Sequence, residues 1–299
     1  MPEPIYVVCN PQAGRGRGGR LLPALLEALR RHGLEPEHAQ TRAAGEEATL
    51  AAEAVARGHR TVAVMGGDGT WSNAAAAMIA TGQPVRMGLV PAGTGADLAR
   101  SFGIPRDMEG CARVLATGQA RPLDAGLIEG RPFLNVAGFG YDVAVIEDTR
   151  RVRGLRGPLL YLYCALRQIR SFEGFEVEVE VDGRTLPRRK ALMVIVSNGR
   201  AFGGGFRLWP QADLADGTLE SLVFHDMPAL RRLGLLQRVR RGRHHGTPGV
   251  EDARGTSFTL RFARPPAYEV DGEWAQARTA ELRIDTLPAA LHVLAPAEA

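Results

Sequence analysis

The sequence has 299 residues, of which 45% are hydrophobic and 23% charged, and its formal net charge is +4. This composition excludes disordered and fibrous classes, and the length allows two domains with separate cores. The small positive charge does not indicate nucleic-acid binding without a matching motif. The three cysteines form no C-x-x-C motif, which favours a reducing compartment. No signal-peptide pattern and no apolar run of roughly 18 residues is visible, so we expect a cytoplasmic protein with at most peripheral membrane contact.

The first part of the chain alternates short β-branched runs with helical patterns, which is typical of a parallel sheet flanked by helices. Strands are predicted at residues 5–9, 61–65 and 87–90. Helices are predicted at residues 21–29, 46–57 and 73–80, and from residue 97 onward. This part therefore predicts an α/β domain.

From about residue 124 the pattern changes to strands. Residues 175–181 alternate between apolar and acidic, and Asp182-Gly183 is a hairpin-turn sequence. Further strands are predicted at residues 191–196, 218–224, 257–262, 268–270 and 280–284. Helices are predicted at residues 159–169 and 229–240. The second part therefore predicts an antiparallel β-sandwich.

Three glycine-rich turns follow predicted strands of the first part, at the sheet edge where α/β proteins bind ligands. Their sequences are Asn10-Pro11-Gln12-Ala13-Gly14, Gly66-Gly67-Asp68-Gly69-Thr70 and Pro91-Ala92-Gly93-Thr94-Gly95. Glycine lets the backbone approach an oxyanion closely, and the amides at a helix start donate to it. Each turn alone could be an ordinary tight connection. Three in succession predict a phosphate site.

Asp68 lies inside the second turn, where a carboxylate repels phosphate unless a cation stands between them. Mg²⁺ bridging is the usual reason for a carboxylate at such a place. The alternative is that Asp68 makes the turn or caps the following helix.

In this order and spacing, the turns resemble the catalytic domain of the diacylglycerol kinase and sphingosine kinase family, with bacterial diacylglycerol kinases and YegS-like lipid kinases as the nearest branch. The resemblance covers essentially the whole chain. Its further segments are Asp124-Ala125-Gly126, Asn135, Gly138-Phe139-Gly140-Tyr141-Asp142, Ser197-Asn198-Gly199, Pro210 to Gly217 and Asp271-Gly272-Glu273. The Gly66 to Thr70 turn alone is weak evidence, because NAD kinases and phosphofructokinases have a similar one, but the ordered set is specific.

The resemblance implies an NAD kinase-like nucleotide domain at residues 1–123, rejoined by residues 286–299, and a β-sandwich domain for a lipid substrate at residues 124–285. It implies transfer of a phosphoryl group from ATP, with Mg²⁺, to a lipid hydroxyl, and Asp68 would position this Mg²⁺ for catalysis. The residues implied to bind ATP are Asn10, Pro11, Gln12, Ala13, Gly14, Thr41, Gly66, Gly67, Asp68, Gly69, Thr70, Trp71, Ser72 and Thr94.

The resemblance also implies a second cation site and a catalytic base. The cation ligands would be the Asp216 carboxylate and the carbonyls of Asp213 and Thr218, since Mg²⁺ prefers oxygen. The residues alone indicate an ordinary Asp-Gly turn there. Asp271 and Glu273 are both candidates for the base that accepts the hydroxyl proton, and an ordinary hairpin is the alternative.

Diacylglycerol is the first expected acceptor under this resemblance. Another lipid alcohol, such as a sphingoid base or phosphatidylglycerol, stays open, as does a soluble acceptor in the manner of NAD kinase. Ala96 stands where the family usually has asparagine. This difference keeps a third class open, an inactive protein that binds lipid or nucleotide.

Two segments bear on membrane contact. The first is a basic run made of Arg231, Arg232, Arg238, Arg240, Arg241, Arg243, His244 and His245. Such runs are usually solvated helix faces, and the sharper hypothesis is docking on anionic lipid headgroups, which would make the protein peripherally membrane-associated. The second, residues 159–163, could line an acyl channel, although core packing is the commoner role. The oligomeric state stays open, with a homodimer as one possibility.

Overall fold

The computed structural model describes residues 4–93, 95–155, 158–203 and 205–297. The chain divides into two compact units. The first unit is Met1–Ala125, Leu214–Asp216 and Leu287–Ala299, and the second is Gly126–Asp213 and Gly217–Thr286. The chain therefore leaves the first unit after Ala125 and returns to it twice.

The first unit alternates strands and helices along its main segment. Its strands are β1 (Ile5–Cys9), β2 (Pro36–Gln40), β3 (Thr61–Gly66) and β4 (Arg86–Pro91). Its helices are α1 (Ala13–Arg31), α2 (Glu46–Ala56), α3 (Asp68–Ala80), α4 (Asp97–Ser101) and α5 (Met108–Thr117). A long strand, β5 (Gln119–Ile128), leads into the second unit.

The second unit is built mainly of strands. They are β6 (Arg131–Phe133), β7 (Val136–Gly140), β8 (Phe175–Val181), β9 (Arg184–Thr185), β10 (Lys190–Ser197), β11 (Ala201–Phe202), β12 (Phe206–Arg207), β13 (Leu219–His225), β14 (Val250–Gly255), β15 (Ser257–Phe262), β16 (Ala267–Val270), β17 (Glu273–Gln276) and β18 (Glu281–Ala295). Its helices are α6 (Tyr141–Arg151), α7 (Pro158–Ser171) and α8 (Ala229–Arg240). The last residues of β18 belong to the first unit.

Five strands of the first unit form a parallel sheet in the order β2-β1-β3-β4-β18. Every residue of β1 and β3 is buried, as expected of inner strands with helices on both faces. Since parallel strands end at the same edge of a sheet, the turns that follow β1, β3 and β4 lie close together.

Two antiparallel sheets make up the second unit. One has the order β17-β16-β7-β10-β13-β14, and the other has the order β9-β8-β15-β18. A short pairing of β10 with β8 joins the two sheets. Phe139 and Val194 from the first sheet share one apolar cluster with Val179 and Phe258 from the second. The alternating apolar residues of β8 thus face a core between two sheets, and the predicted β-sandwich is confirmed.

Most predicted elements lie within one or two residues of the observed ones, and four regions differ. Helix α1 begins at Ala13 rather than at residue 21, and it contains a kink where Gly14, Arg15 and Gly16 have left-handed backbone conformations. Helix α3 begins at Asp68 rather than at residue 73, because the glycine-rich turn is itself the first turn of the helix. The strand predicted at residues 280–284 continues into the segment expected to rejoin the first domain, and the two form one strand, β18. The Asp182-Gly183 hairpin pairs β8 first with the short β9, and β10 pairs with β8 only at Lys190 and Ala191. Elements that were not predicted are helix α6 and the strands β2, β5, β6, β7, β9, β11, β12, β14 and β17.

Trp71 anchors α3 to the strand that precedes it. Its side chain is fully buried, and its Nε1 donates to the carbonyl oxygen of Val64 at 2.9 Å. Trp71→Phe keeps an aromatic ring but removes this donor. We expect the free energy of unfolding to fall by about 1–3 kcal/mol, the usual cost of an unsatisfied buried polar group.

The urea midpoints of unfolding of wild type and variant measure this change. Tyr6→Phe is the matched control, because Tyr6 is also buried and its hydroxyl makes no hydrogen bond within the described residues. An equal loss in both variants would contradict the role of the indole hydrogen bond.

Candidate functional site

Asn10 connects the first glycine-rich turn to the start of α3. Its Nδ2 donates to Thr70 Oγ1 at 3.1 Å, and its Oδ1 accepts from the backbone N–H of Gln12 at 3.0 Å. The same side chain therefore shapes its own turn and holds it against the second turn.

Asp68 connects the second turn to the third. Its carboxylate accepts from the backbone N–H groups of Ala96 at 2.8 Å and Asp97 at 3.0 Å, with Leu98 N at 3.5 Å. Asp68 thus caps α4, a different helix from the α3 that it begins. Ala96 has a left-handed φ of 64°, a conformation that asparagine tolerates better than alanine.

The turns also pack backbone against backbone. The carbonyl oxygen of Gly66 accepts from Ala92 N at 2.8 Å and Gly93 N at 2.9 Å. A β-carbon on Gly14 would overlap the carbonyl oxygen of Ala92, and one on Gly93 would stand 2.7 Å from the Cα of Gly67. Side chains are excluded at these points, which explains the glycines.

The start of α3 faces open space. A β-carbon on Gly69 would meet nothing within 4 Å, and Gly67 at the N-cap provides no side-chain acceptor. The first amides of a helix have no intrahelical acceptor, so they can donate to an anion. This arrangement fits a phosphate group.

The other predicted ATP-binding residues lie in different environments. Thr41 follows β2, and its N–H donates to the Cys9 carbonyl at 2.9 Å, so it lies at the same sheet edge. Pro11, Ala13 and Ser72 belong to the joined turns, although Ser72 is buried. The Trp71 side chain lies in the core, which leaves only its backbone for a ligand. Thr94 lies outside the described residues.

Asp271 holds a connection of the second unit. With φ of 48°, followed by Gly272 at 87°, it forms a two-residue hairpin turn between β16 and β17. Its carboxylate accepts from the N–H groups of Leu134 at 2.9 Å, Asn135 at 2.9 Å and Val136 at 2.8 Å. Asp271 therefore fixes the segment between β6 and β7.

Glu273, the other candidate base, is more accessible. Its Oε2 pairs with Arg131 at 2.8 Å, and its side chain is 46% exposed. Arg131 is a site residue that the sequence reasoning missed, because no motif links it to a glutamate 142 positions away. Of the two candidates, Glu273 is the one that a hydroxyl group can reach.

The predicted cation ligands lie in the loop between β12 and β13. Gly217 has a φ of 78°, as expected for the turn Asp216-Gly217. Among the described residues, no group of three or more His, Cys, Asp or Glu side chains could hold a metal ion. The predicted set of Asp213, Asp216 and Thr218 uses one carboxylate and two carbonyls, so it stays a prediction.

Family models match both parts of the chain. Residues 4–128 match the diacylglycerol kinase catalytic domain, and residues 135–295 match the YegS C-terminal NAD kinase beta sandwich-like domain. The chain therefore belongs to the family of diacylglycerol kinases and YegS-like lipid kinases, as its motifs predicted. This membership defines it as a phosphotransferase of the lipid kinase class.

Individual relatives are similar along nearly their whole length. A diacylglycerol kinase of Mycobacterium tuberculosis is 28% identical, over 98% of this chain and 95% of the relative. A YegS-like lipid kinase of Klebsiella pneumoniae is 27% identical, over 95% and 94%.

Solved structures support the fold class. A diacylglycerol kinase structure from Bacillus anthracis has a TM-score of 0.75 at 20% identity, over 98% of this chain and 97% of that one. An NAD kinase from Archaeoglobus fulgidus, solved in complex with ATP, has a TM-score of 0.55 at 13% identity, over 97% and 93%. These similarities confirm the predicted NAD kinase-like fold.

The two acidic residues of the hairpin turn should differ in their effect on stability. Asp271→Ala removes the acceptor of three amides and puts alanine at a left-handed φ, so the free energy of unfolding should fall by about 3 kcal/mol or more. Glu273→Ala removes one exposed ion pair, worth about 0–1 kcal/mol. Urea unfolding of both variants measures the difference, and equal losses would contradict these separate roles.

Proposed function

We propose that this protein is an ATP-dependent kinase that transfers the γ-phosphate to the hydroxyl of a membrane lipid, with diacylglycerol as the expected acceptor. The observation that carries the proposal is the joined set of three turns beside the uncapped start of α3. Membership of the lipid kinase family supports the lipid acceptor. The diacylglycerol kinases among its relatives, including one of Bacillus subtilis that is 26% identical over 90% of this chain, support the choice of diacylglycerol.

ATP, when bound, supplies the transferable phosphoryl group. The amides at the start of α3, with Asn10 and the Gly14 backbone, bind its phosphates, and Thr41 and Thr94 are the proposed contacts to phosphate or ribose. Arg15, exposed beside the first turn, adds a positive charge that attracts the phosphates.

Asp68 has two tasks in this proposal. A carboxylate offers about four acceptor directions, and three amides already approach that of Asp68. The acceptor direction that remains on the carboxylate can bind Mg²⁺, for which oxygen is the preferred ligand. Asp213, Asp216 and Thr218 are proposed as ligands of a second, structural cation.

Glu273 is the proposed base. Its exposed carboxylate accepts the proton of the lipid hydroxyl as the phosphoryl group is transferred. Arg131 orients this carboxylate, and Asp271 holds the turn that carries it. Asp271 is therefore a positioning residue in this proposal.

Turnover tests the proposal directly. Asp68→Ala and Glu273→Gln should each lower kcat by about 10²-fold or more, because one removes the Mg²⁺ contact and the other the base. ATP consumption with Mg²⁺ and diacylglycerol in mixed micelles measures this, beside a sphingoid base, phosphatidylglycerol and NAD as acceptors. Glu53→Gln, on the exposed side of α2, is the matched control.

The outcomes separate the alternatives. Turnover retained by Asp68→Ala would remove this turn from the centre of the mechanism. If no lipid stimulates ATP consumption while ATP still raises the melting temperature, the protein binds nucleotide without being a lipid kinase. Turnover with NAD alone would favour the soluble acceptor.

A lipid acceptor requires contact with a membrane surface, and α7 supports such contact. Leu159, Leu162, Tyr163 and Leu166 recur at the spacing of one helix face and are 68%, 54%, 47% and 50% exposed. The expected core packing of residues 159–163 is therefore wrong for most of this stretch. No helix in the described ranges is long and apolar enough to cross a membrane.

The basic run on and after α8 is only partly available for docking. Arg232 is buried and donates to the carbonyls of Ile169 and Phe172, and burial lowers the pKa of His244 to about 4. The exposed remainder includes Arg240, which lines a cavity of about 580 Å³ together with Arg207, Gln237, Arg241 and Arg243. Within the described part of the chain, these four arginines form no ion pair, so they can accept anionic headgroups.

Charge reversal tests the membrane contact. The triple variant Arg240→Glu, Arg241→Glu, Arg243→Glu should sediment at least about tenfold less with vesicles that contain anionic lipid, since each basic residue near the surface contributes about 1 kcal/mol. The matched control is Arg184→Glu, Arg188→Glu, Arg189→Glu, which changes the net charge equally at exposed positions. An equal loss of sedimentation in both triple variants would mean that net charge alone determines binding. Unchanged sedimentation of the Arg240, Arg241 and Arg243 variant would contradict the docking surface.

A further inference from the structure

Two carboxyl groups of the second unit are buried side by side. Asp142 lies in the first turn of α6 and Glu269 on β16, and they are 3% and 0% exposed. Glu269 is paired across the sheet with Gly138 of β7. A β-carbon on Gly138 would overlap Asp142 Oδ2 and stand 3.0 Å from Glu269 Oε1. Both oxygens thus occupy the space that a side chain at position 138 would need.

The same two oxygens have no hydrogen-bond partner among the described residues. The other oxygen of each group is used, since Asp142 Oδ1 accepts from Val143 N at 2.9 Å and Glu269 Oε2 accepts from Gly272 N at 2.6 Å. Two buried acceptors without a donor are costly, and two adjacent negative charges there would be more so. A single proton held between Asp142 Oδ2 and Glu269 Oε1 supplies the donor that both lack.

The charged surroundings favour this proton. Burial raises the pKa of Asp142, and it raises the pKa of Glu269 well above its usual range, with the charge of Asp142 as the second cause. Among the described residues, the titratable groups that interact electrostatically with one or both carboxyl groups are Tyr141 of α6, Tyr161 of α7, Asp271 of the hairpin turn and Arg131 of β6. Arg131 is the one cation among them, and it already pairs with Glu273.

Glu269 connects this pair to the hairpin turn. The N–H that it accepts belongs to Gly272, the residue between Asp271 and Glu273. We propose that Asp142 and Glu269 share one proton and act as positioning residues, which hold the Asp271 to Glu273 turn and so the carboxylate of Glu273 in place. The catalytic half of this inference rests on the proposed function of Glu273.

The shared proton makes the turn sensitive to pH. In the unfolded chain both carboxyl groups lose their protons near pH 4. The folded chain keeps one proton to higher pH, so it binds more protons than the unfolded chain over that window. Stability therefore falls as the pH rises from about 4 through the raised pKa of the pair. Above it, the two carboxylates repel and the turn loosens.

Glu269→Gln replaces the shared proton by an amide N–H, which can donate to Asp142 while the amide oxygen still accepts from Gly272. The pH dependence of the melting temperature should be flatter in this variant and in Asp142→Asn than in wild type. Glu53→Gln is the control and should keep the wild-type dependence. If both pair variants follow the wild-type curve, no proton is shared and the inference fails. This readout needs no kinase activity.

Kinetics test the positioning role. Glu269→Gln should keep kcat near neutral pH and lose less of it than wild type at alkaline pH. Glu269→Ala leaves Gly272 without its acceptor, and kcat should fall by about 10²-fold with KM for ATP unchanged, as for a misplaced catalytic group. Wild-type kcat in Glu269→Ala would overturn positioning. The pair variants could show the flatter pH dependence of the melting temperature while the wild-type protein phosphorylates no lipid. That result would reject the proposed function and leave the inference of a shared proton intact.

Discussion

The carboxylate of Asp68 accepts hydrogen bonds from the first amides of α4, and the arrangement of the three turns depends on this contact. Hydrogen bonds to a charged group contribute roughly 1.5–3 kcal/mol each, about twice as much as neutral ones. The link between the first and second turns is neutral, through Asn10 and Thr70. The third turn is held both by the carbonyl oxygen of Gly66, which accepts from Ala92 N and Gly93 N, and by Asp68, the residue that the family resemblance assigns to Mg²⁺. Asp68 therefore has a structural role besides the catalytic role that the resemblance implies.

In both units, carboxylates accept hydrogen bonds from backbone N–H groups at several tight turns and connecting segments. Asp124 accepts from Ala289 in the first unit, and Asp271 accepts from three successive amides in the second. A short side chain with two oxygens can satisfy consecutive N–H groups that no strand partner reaches. The presence of an acidic residue in a motif is therefore weak evidence for a catalytic role. The more informative property is the exposure of the carboxylate to a substrate, and Glu273, whose side chain is 46% exposed, meets that criterion better than Asp271.

The periodicity of apolar residues and the sequences of the turns were sufficient to predict much of the fold. The alternation in β8 predicted its bounds closely, whereas the glycine-rich turn concealed the first turn of α3, and the predicted strand at residues 280–284 covers only the beginning of β18. The site was less predictable from sequence. The amides bound by Asp271 lie 135 to 137 positions away, and no local pattern indicates that Trp71 faces the core. Contacts at such separations are set by the folded sheet.

The buried pair of Asp142 and Glu269 raises the question of why a core should contain two carboxyl groups. Well-packed apolar residues at such a place are often as stable or more stable, so stability alone does not account for them. Glu269 supplies an acceptor for Gly272, but a glutamine could do the same without a second acidic residue. Two carboxyl groups with one proton between them make the position of the turn depend on pH, which a glutamine would not do. The proposed role of the pair, to position the Glu273 carboxylate in a pH-dependent way, therefore accounts for both carboxyl groups.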